Sequence, residues 1–226
     1  MKKIYEGKTK DVFELANETI HLMLFKDDVT GTEEGIDPGA NQVIGRLEDK
    51  GFSSLKITEH FFTLLKEHDV PTHFIEANLQ ERTMKVYKAE NFGFEVICRL
   101  FAYGSFIRRY PHLVENMHPL NYLVEITIKD DEVGDPLIND EALCMLKVLD
   151  ESELESVKKI TKSAASVIEK ELKYKGLDLI DFKIEFGKIN GEIAIIDEIS
   201  GDGMRVMKDG KIINQIDLNN YLFDEE

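Results

Sequence analysis

The stretch 179–205, LIDFKIEFGKINGEIAIIDEISGDGMR, concentrates side chains suited to chemistry. Asp181, Lys183 and Glu185 alternate with Phe182, Ile184 and Phe186. An extended chain therefore puts the charged trio on one face and the apolar trio on the other. Asn190-Gly191 supplies hairpin turn chemistry, and the return strand climbs to a second acidic pair, Asp197-Glu198. Register decides whether these groups meet. A two-residue loop sets Glu185 opposite Ile196; an odd-length loop centred on Gly191 sets it opposite Asp197. In that second register the opposed carboxylates repel unless a cation lies between them, and such oxygens suit Mg²⁺ completed by water and substrate phosphates. An exposed hairpin whose charges face water fits the same alternation.

A second dense patch is 99–109, RLFAYGSFIRR. Guanidinium forks bind oxyanions bidentately, and a Gly-Ser turn adds a hydroxyl and backbone NH groups. Arg99 and Ser105 are assigned to a phosphate, and at least one of Arg108 and Arg109 to a surface carboxylate. Near the N-terminus, Gly7-Lys8-Thr9-Lys10 lies between two short apolar segments. Backbone NH groups at such a turn, with two lysines, can cover a triphosphate, although a solvated loop has the same composition.

The elements that must position these groups follow from periodicity. Strands are expected at residues 19–25, 72–76, 83–87, 94–101 and 122–129. Helices are expected at 53–68 and at 151–175, the latter opened by an Asp150/Glu153 capping box and closed by Gly176. Leu154, Val157, Ile160, Ala164, Val167, Ile168 and Leu172 make its apolar face. Residues 29–50, with the turn signal Asp37-Pro38-Gly39, read as a long loop. Residues 215–222 make a last helical turn or two, and the acidic end 224–226 frays. The boundary between lobes falls near residues 87–92, giving an antiparallel β lobe at 1–88 and an α/β lobe at 89–226.

Composition narrows the function classes. The chain has 226 residues, 42% hydrophobic, with a net charge of −16. Binding nucleic acid or an anionic membrane through bulk electrostatics is excluded by that sign, so an anionic substrate must be held by a local cationic cluster. No apolar run reaches the length of a membrane span, and the start shows no signal peptide. Cys98 and Cys144 lack metal-site spacing and read as reduced thiols of a cytoplasmic protein.

The chain resembles the SAICAR synthetase family of purine biosynthesis from Tyr5 to Arg205. Gly7–Lys10 looks like the family's GKxK loop, and Lys26-Asp27-Asp28 like its K(D/N)D element. EVICRLFAYGSFIRR at 95–109 is similar to EVxxRxxAAGSxxxR. KDDEVGDPLIN at 129–139, DFKIEFG at 181–187 and DEISGDGMR at 197–205 match KDDxxxDPxIN, DFKxEFG and DEISPDxxR.

The resemblance implies a two-lobed α+β fold with ATP in the cleft. It implies an amide-forming ligase that phosphorylates the carboxylate of carboxyaminoimidazole ribonucleotide and passes the acyl group to L-aspartate. It places Lys8, Thr9 and Lys10 at the triphosphate, Lys88 on the adenine side, and Glu185 and Asp197 at Mg²⁺. Arg99, Ser105 and Arg205 fall at the ribose phosphate and Lys183 at the carboxylate. Asp202 and Asp135 are candidates for the base that takes the amine proton. Homodimers are common in the family.

Departures accompany the match. The family's KGxxNN has become Lys50-Gly51-Phe52-Ser53-Ser54-Leu55, its AAGS carries Tyr103, and its SPD has become Ser200-Gly201-Asp202. No tryptophan follows Arg205, the loop 29–49 is longer than usual, and a C-terminal helical extension is mostly absent. Besides an ordinary family enzyme, two readings stand: a related ligase with another amine or carboxylate, and a non-catalytic nucleotide-binding module.

Overall fold

The computed structural model describes residues 1–32, 35–36 and 42–223. The turn signal at 37–39 and the acidic end 224–226 lie outside the described residues.

The first sheet is antiparallel. It contains β1 (Lys2–Glu6), β2 (Lys10–Glu14), β3 (Ile20–Phe25), β7 (Phe74–Asn78) and β8 (Thr83–Tyr87), in the order β1-β2-β3-β8-β7. The expected loop at 29–50 is a correction. It holds a small separate sheet of β4 (Asp28–Thr32), β5 (Gly35–Ile36) and β6 (Gln42–Arg46), paired β5-β4-β6. Its Thr, Gly and Glu content had masked two β-branched segments. Helix α1 (Lys50–Glu67) starts three residues before its expected apolar stripe, because Lys50, Gly51, Ser53 and Ser54 are buried as well. It packs against β3 and β7.

The second sheet holds β9 (Glu90–Phe101), β10 (Pro119–Ile128), β11 (Leu137–Ile138), β12 (Asp178–Ile189), β13 (Glu192–Ile196), β14 (Met204–Lys208) and β15 (Lys211–Ile212). Strand β12 is its hub. One edge pairs with β9 along most of its length. The other edge is shared: β14 pairs with residues 178–182 and β13 with 185–189. The chain must therefore leave the sheet between Ile196 and Met204, and that excursion carries Asp197, Glu198 and Asp202.

Alternation on β12 settles the two faces. Phe182, Ile184 and Phe186 are buried, in one core with Leu154, Val157, Ala164, Ile168 and Leu172 of α4 (Glu151–Tyr174). The capping box forms: Asp150 accepts from Glu153 N at 2.8 Å, and Glu153 accepts from Asp150 N at 2.9 Å. On the opposite face, β9 pairing aligns Asp181 with Arg99, Lys183 with Ile97 and Glu185 with Glu95. The short helices α2 (Ser105–Arg109) and α3 (Asp140–Met145) follow β9 and β11, and α5 (Gln215–Phe223) packs on α1.

Candidate active site

The hairpin takes the first of the two registers, that of the two-residue loop. Ile189 pairs with Glu192 and Glu185 with Ile196, so the loop is the two-residue Asn190-Gly191, both with positive φ (52° and 88°). That is the backbone a primed hairpin turn requires. Asp197 is thus not opposite Glu185. It reaches the same region by another route, a left-handed φ of 67° that turns the chain out of the sheet just after β13. Burial raises the Glu185 carboxyl above its ordinary range, and Asp197 raises it further, against the pull of Lys129.

Two cavities of about 650 and 660 Å³ adjoin along this charged face. The first lies between the sheets. Among the described residues its lining includes Lys8, Thr9 and Lys10 from the β1–β2 turn, Glu185 from β12, and Asp197, Glu198 and Asp202 from the excursion. The turn is pinned from below, since Lys26 Nζ donates to Gly7 O at 2.6 Å. Lys10 is buried and pairs with Asp197 at 3.0 Å and with Glu198. Burial alone would lower its pKa, but those carboxylates outweigh it and hold the ammonium above its usual value. Burial likewise pushes Asp197 up, and Lys10 and Lys129 overcome it and keep it ionised below the usual range. Lys129 Nζ lies 2.6 Å from Glu185. Lys88 is exposed and outside this lining, whereas its neighbours Tyr87 and Ala89 belong to it.

The second cavity contains Arg99, Ser105, Arg108, Arg109, Asp181 and Arg205. Arg99 is 1% exposed. Its Nε donates to Glu125 at 2.6 Å, Nη1 to Asp181 at 3.0 Å and Nη2 to Ser105 Oγ at 3.0 Å. Arg205 Nη1 meets the same Asp181 at 3.0 Å. Burial keeps the Asp181 carboxyl raised despite the two guanidinium groups, Arg205 foremost. Arg109 pairs with Glu125, matching the assignment of one of the two helix arginines to a carboxylate. Arg108 is exposed.

Lys183, Glu95, Asp135 and Gly203 line both cavities. Lys183 Nζ lies 3.0 Å from Glu95, which relieves the direct opposition of Glu95 and Glu185 across the strands. Asp135 accepts from Asp130 N at 2.8 Å within its turn. Asp202 pairs with the buried Lys50, and burial first, then Glu198, pushes its carboxyl up to about 6.

Three partners were missed from sequence: Lys50, Glu95 and Lys129. Glu95 carried a signal, because strand alternation puts it on the charged face. Lys50 opens the KGxxNN-like segment, but its partner lies 152 residues away.

The donor set fits a divalent cation. Among the described residues, six carboxylates and four lysines line the first cavity. A triphosphate entering a cavity with that excess of negative charge needs added positive charge. Glu185 and Asp197 are two hard oxygen donors on its wall, the complement that Mg²⁺ takes beside phosphates.

Fold and site together define a class, a two-lobed α+β protein with a carboxylate-rich cavity opening onto an arginine-lined one. Within that class, the chain belongs to the SAICAR synthetase family, whose model matches residues 3–221. It is 46% identical to the phosphoribosylaminoimidazole-succinocarboxamide synthase of Clostridium tetani, over 99% of this chain and 100% of that one. The enzyme of the same name from Aquifex aeolicus is 35% identical over 91% and 92%. Among solved structures, a SAICAR synthetase in complex with ADP superposes with a TM-score of 0.87 at 28% identity, covering 98% of both chains. Among the described residues no helix is long and apolar enough to cross a membrane.

Proposed function

We propose that the protein is the ATP-dependent ligase that joins the carboxylate of carboxyaminoimidazole ribonucleotide to the amine of L-aspartate, giving SAICAR, ADP and phosphate in purine biosynthesis. Cytoplasmic location and a homodimer belong to the same reading, as does a division into lobes at residues 1–88 and 89–226, supported by the change of sheet between β8 and β9. The observation that carries the function is the contrast between the cavities and the lysine they share. Family membership and the relatives' names support it.

In this reading ATP occupies the first cavity. Its triphosphate lies over Lys8, Thr9 and Lys10, and its base lies toward Lys88. Glu185 and Asp197 would hold Mg²⁺, which supplies charge neutralisation to the phosphoryl oxygens. The ribonucleotide occupies the second cavity, where five cations outnumber three carboxylates among the described lining residues. Arg205, Arg99 and Ser105 take its phosphate. Glu125 and Asp181 hold Arg99 in place, so it meets the phosphate from a fixed position, aims Ser105 and shares Asp181 with Arg205.

Lys183, at the junction, takes the imidazole carboxylate. A carboxylate oxygen attacks the γ-phosphorus, forming an acyl phosphate as the bond to ADP breaks. Lys183 offsets the repulsion between the two anions. The aspartate amine then attacks the acyl carbon, and phosphate leaves. Asp202, with its carboxyl near 6, is ionised at neutral pH and suited to receive the amine proton. Asp135 contacts the incoming amine.

The test is ADP release from Mg-ATP, L-aspartate and carboxyaminoimidazole ribonucleotide, each omitted in turn, with Lys183→Ala as control. Release that needs all three and vanishes in the variant supports the ligase. Release that ignores aspartate assigns a different amine, and ATP binding without release under any combination refutes the enzyme.

A further inference from the structure

Gln215 lies outside every motif that carries the family resemblance, yet it touches three parts of the site's scaffold. Its Nε2 donates to Lys50 O at 3.1 Å and to Ser54 Oγ. Lys50, Ser54 and Thr58 are spaced four residues apart and so share one face of α1. That face braces the 197–203 excursion: Lys50 pairs with Asp202, and Thr58 Oγ1 lies 3.2 Å from Ile199 O. On its other side, the body of Gln215 presses on Gly201. A Cβ at 201 would come 2.8 Å from Gln215 Cβ, 2.9 Å from its Cγ and 3.0 Å from its Cα. Gly201 is glycine for room, not for a left-handed φ, since it is absent from the positive-φ glycines. The two positions are sterically matched, and Ser54 sits where the resembling family pattern has asparagine.

We propose that Gln215 is a positioning residue for the ligase reaction. It wedges the turn carrying Asp202 against the start of α1, and the Gly201–Gln215 pair sets how far Asp202 projects into the first cavity. The inference rests on the proposed function. It makes α5 part of the active-site frame and ties two of this chain's departures, at residues 54 and 201, to one side chain.

The experiment compares full-length wild type, Gln215→Ala, Gln215→Glu, Gly201→Ala and the double variant Gly201→Ala/Gln215→Ala. Each is assayed for kcat, for KM of ATP and of L-aspartate, and for melting temperature. Displacing a reacting group by a fraction of an ångström to an ångström costs up to about a hundredfold in rate. Gln215→Ala should therefore lose about tenfold or more in kcat, with KM for ATP held within about twofold. Gln215→Glu keeps the shape but sets a carboxylate oxygen against Lys50 O, so it should show the same split between kcat and KM for ATP. Gly201→Ala should lose more, and the double variant, which relieves the 2.9 Å clash with Cγ but keeps the Cβ at 2.8 Å, should lose less than the sum of the two single variants, a non-additivity diagnostic of direct contact. A kcat for Gln215→Ala and Gln215→Glu within twofold of wild type, additive losses, or losses that track melting temperature and ATP affinity alike would overturn the proposal. No turnover in the wild type would instead sink the ligase reading.

Discussion

The two cavities share a wall and differ in charge logic. In the first, carboxylates exceed lysines and the cations are spent on them: Lys10 on Asp197 and Glu198, Lys129 on Glu185. In the second, arginines exceed carboxylates, and the carboxylates serve to hold the arginines still. One is suited to an anion that brings its own metal, the other to an anion that comes bare. Two anions can thus be drawn together in a protein of net charge −16, because neither depends on the overall field.

That contrast can be broken at its hinge. Lys183→Ala removes the one cation that, among the described residues, lines both cavities, and ADP release should fall by about 10²–10³-fold, the scale of losing an electrostatic stabiliser of the transition state. It can be sharpened inside the second cavity. Arg99→Met breaks two pairs at once, leaving Asp181 to Arg205 and Glu125 to Arg109 alone, and a broken buried pair costs about 3–5 kcal/mol, so chemical denaturation should show a large loss of stability. Arg205→Met leaves Arg99 on Asp181 and should cost less stability than Arg99→Met, with about 1.5–3 kcal/mol of ribonucleotide binding lost, read as a raised KM with KM for ATP unchanged. In the first cavity, Glu185→Gln should raise the Mg²⁺ concentration needed for half-maximal rate by about tenfold and leave the ribonucleotide KM alone. A matching rise in ribonucleotide KM would show that the cavities are not separable.

The smallest effect is in pH. The folded-state Asp202 carboxyl titrates near 6, above its unfolded value of 3.8. The native state therefore binds more protons between those values, and this group's contribution to stability falls as pH rises from 3.8 through 6. His73 has the opposite sign. Burial lowers it to about 4 from 6.5, so its contribution rises as pH climbs through that window. In wild type the two slopes oppose. Asp202→Asn should unmask the histidine slope, with the melting temperature dropping more steeply than wild type as pH falls from 6.5 to 4.

Much of the frame was legible because it is local. The Phe182/Ile184/Phe186 alternation, the Asp150/Glu153 cap and the Asn190-Gly191 turn each lie within a few residues and each formed. What was not legible was how Asp197 reaches the site. Sequence offers no sign that β13 and β14 would share one edge of β12, nor that Asp197 would adopt a left-handed φ. Both are imposed by tertiary closure. Arg99 was legible as an anion-binding type, whereas its engagement by Glu125 and Asp181 depends on strand order.

The hub position of β12 has a kinetic consequence. Lys10 and Glu198 are 188 residues apart, and Arg99 and Asp181 are 82 apart. Contacts of such separation close loops whose entropy is lost before any pairing rewards it, so topologies rich in them fold in about milliseconds to seconds. On the ribosome, a chain that has not yet reached residue 178 holds one partner of each of these pairs and lacks Lys183 and Gly203 of the junction. Activity is therefore the last property this molecule acquires as it is made.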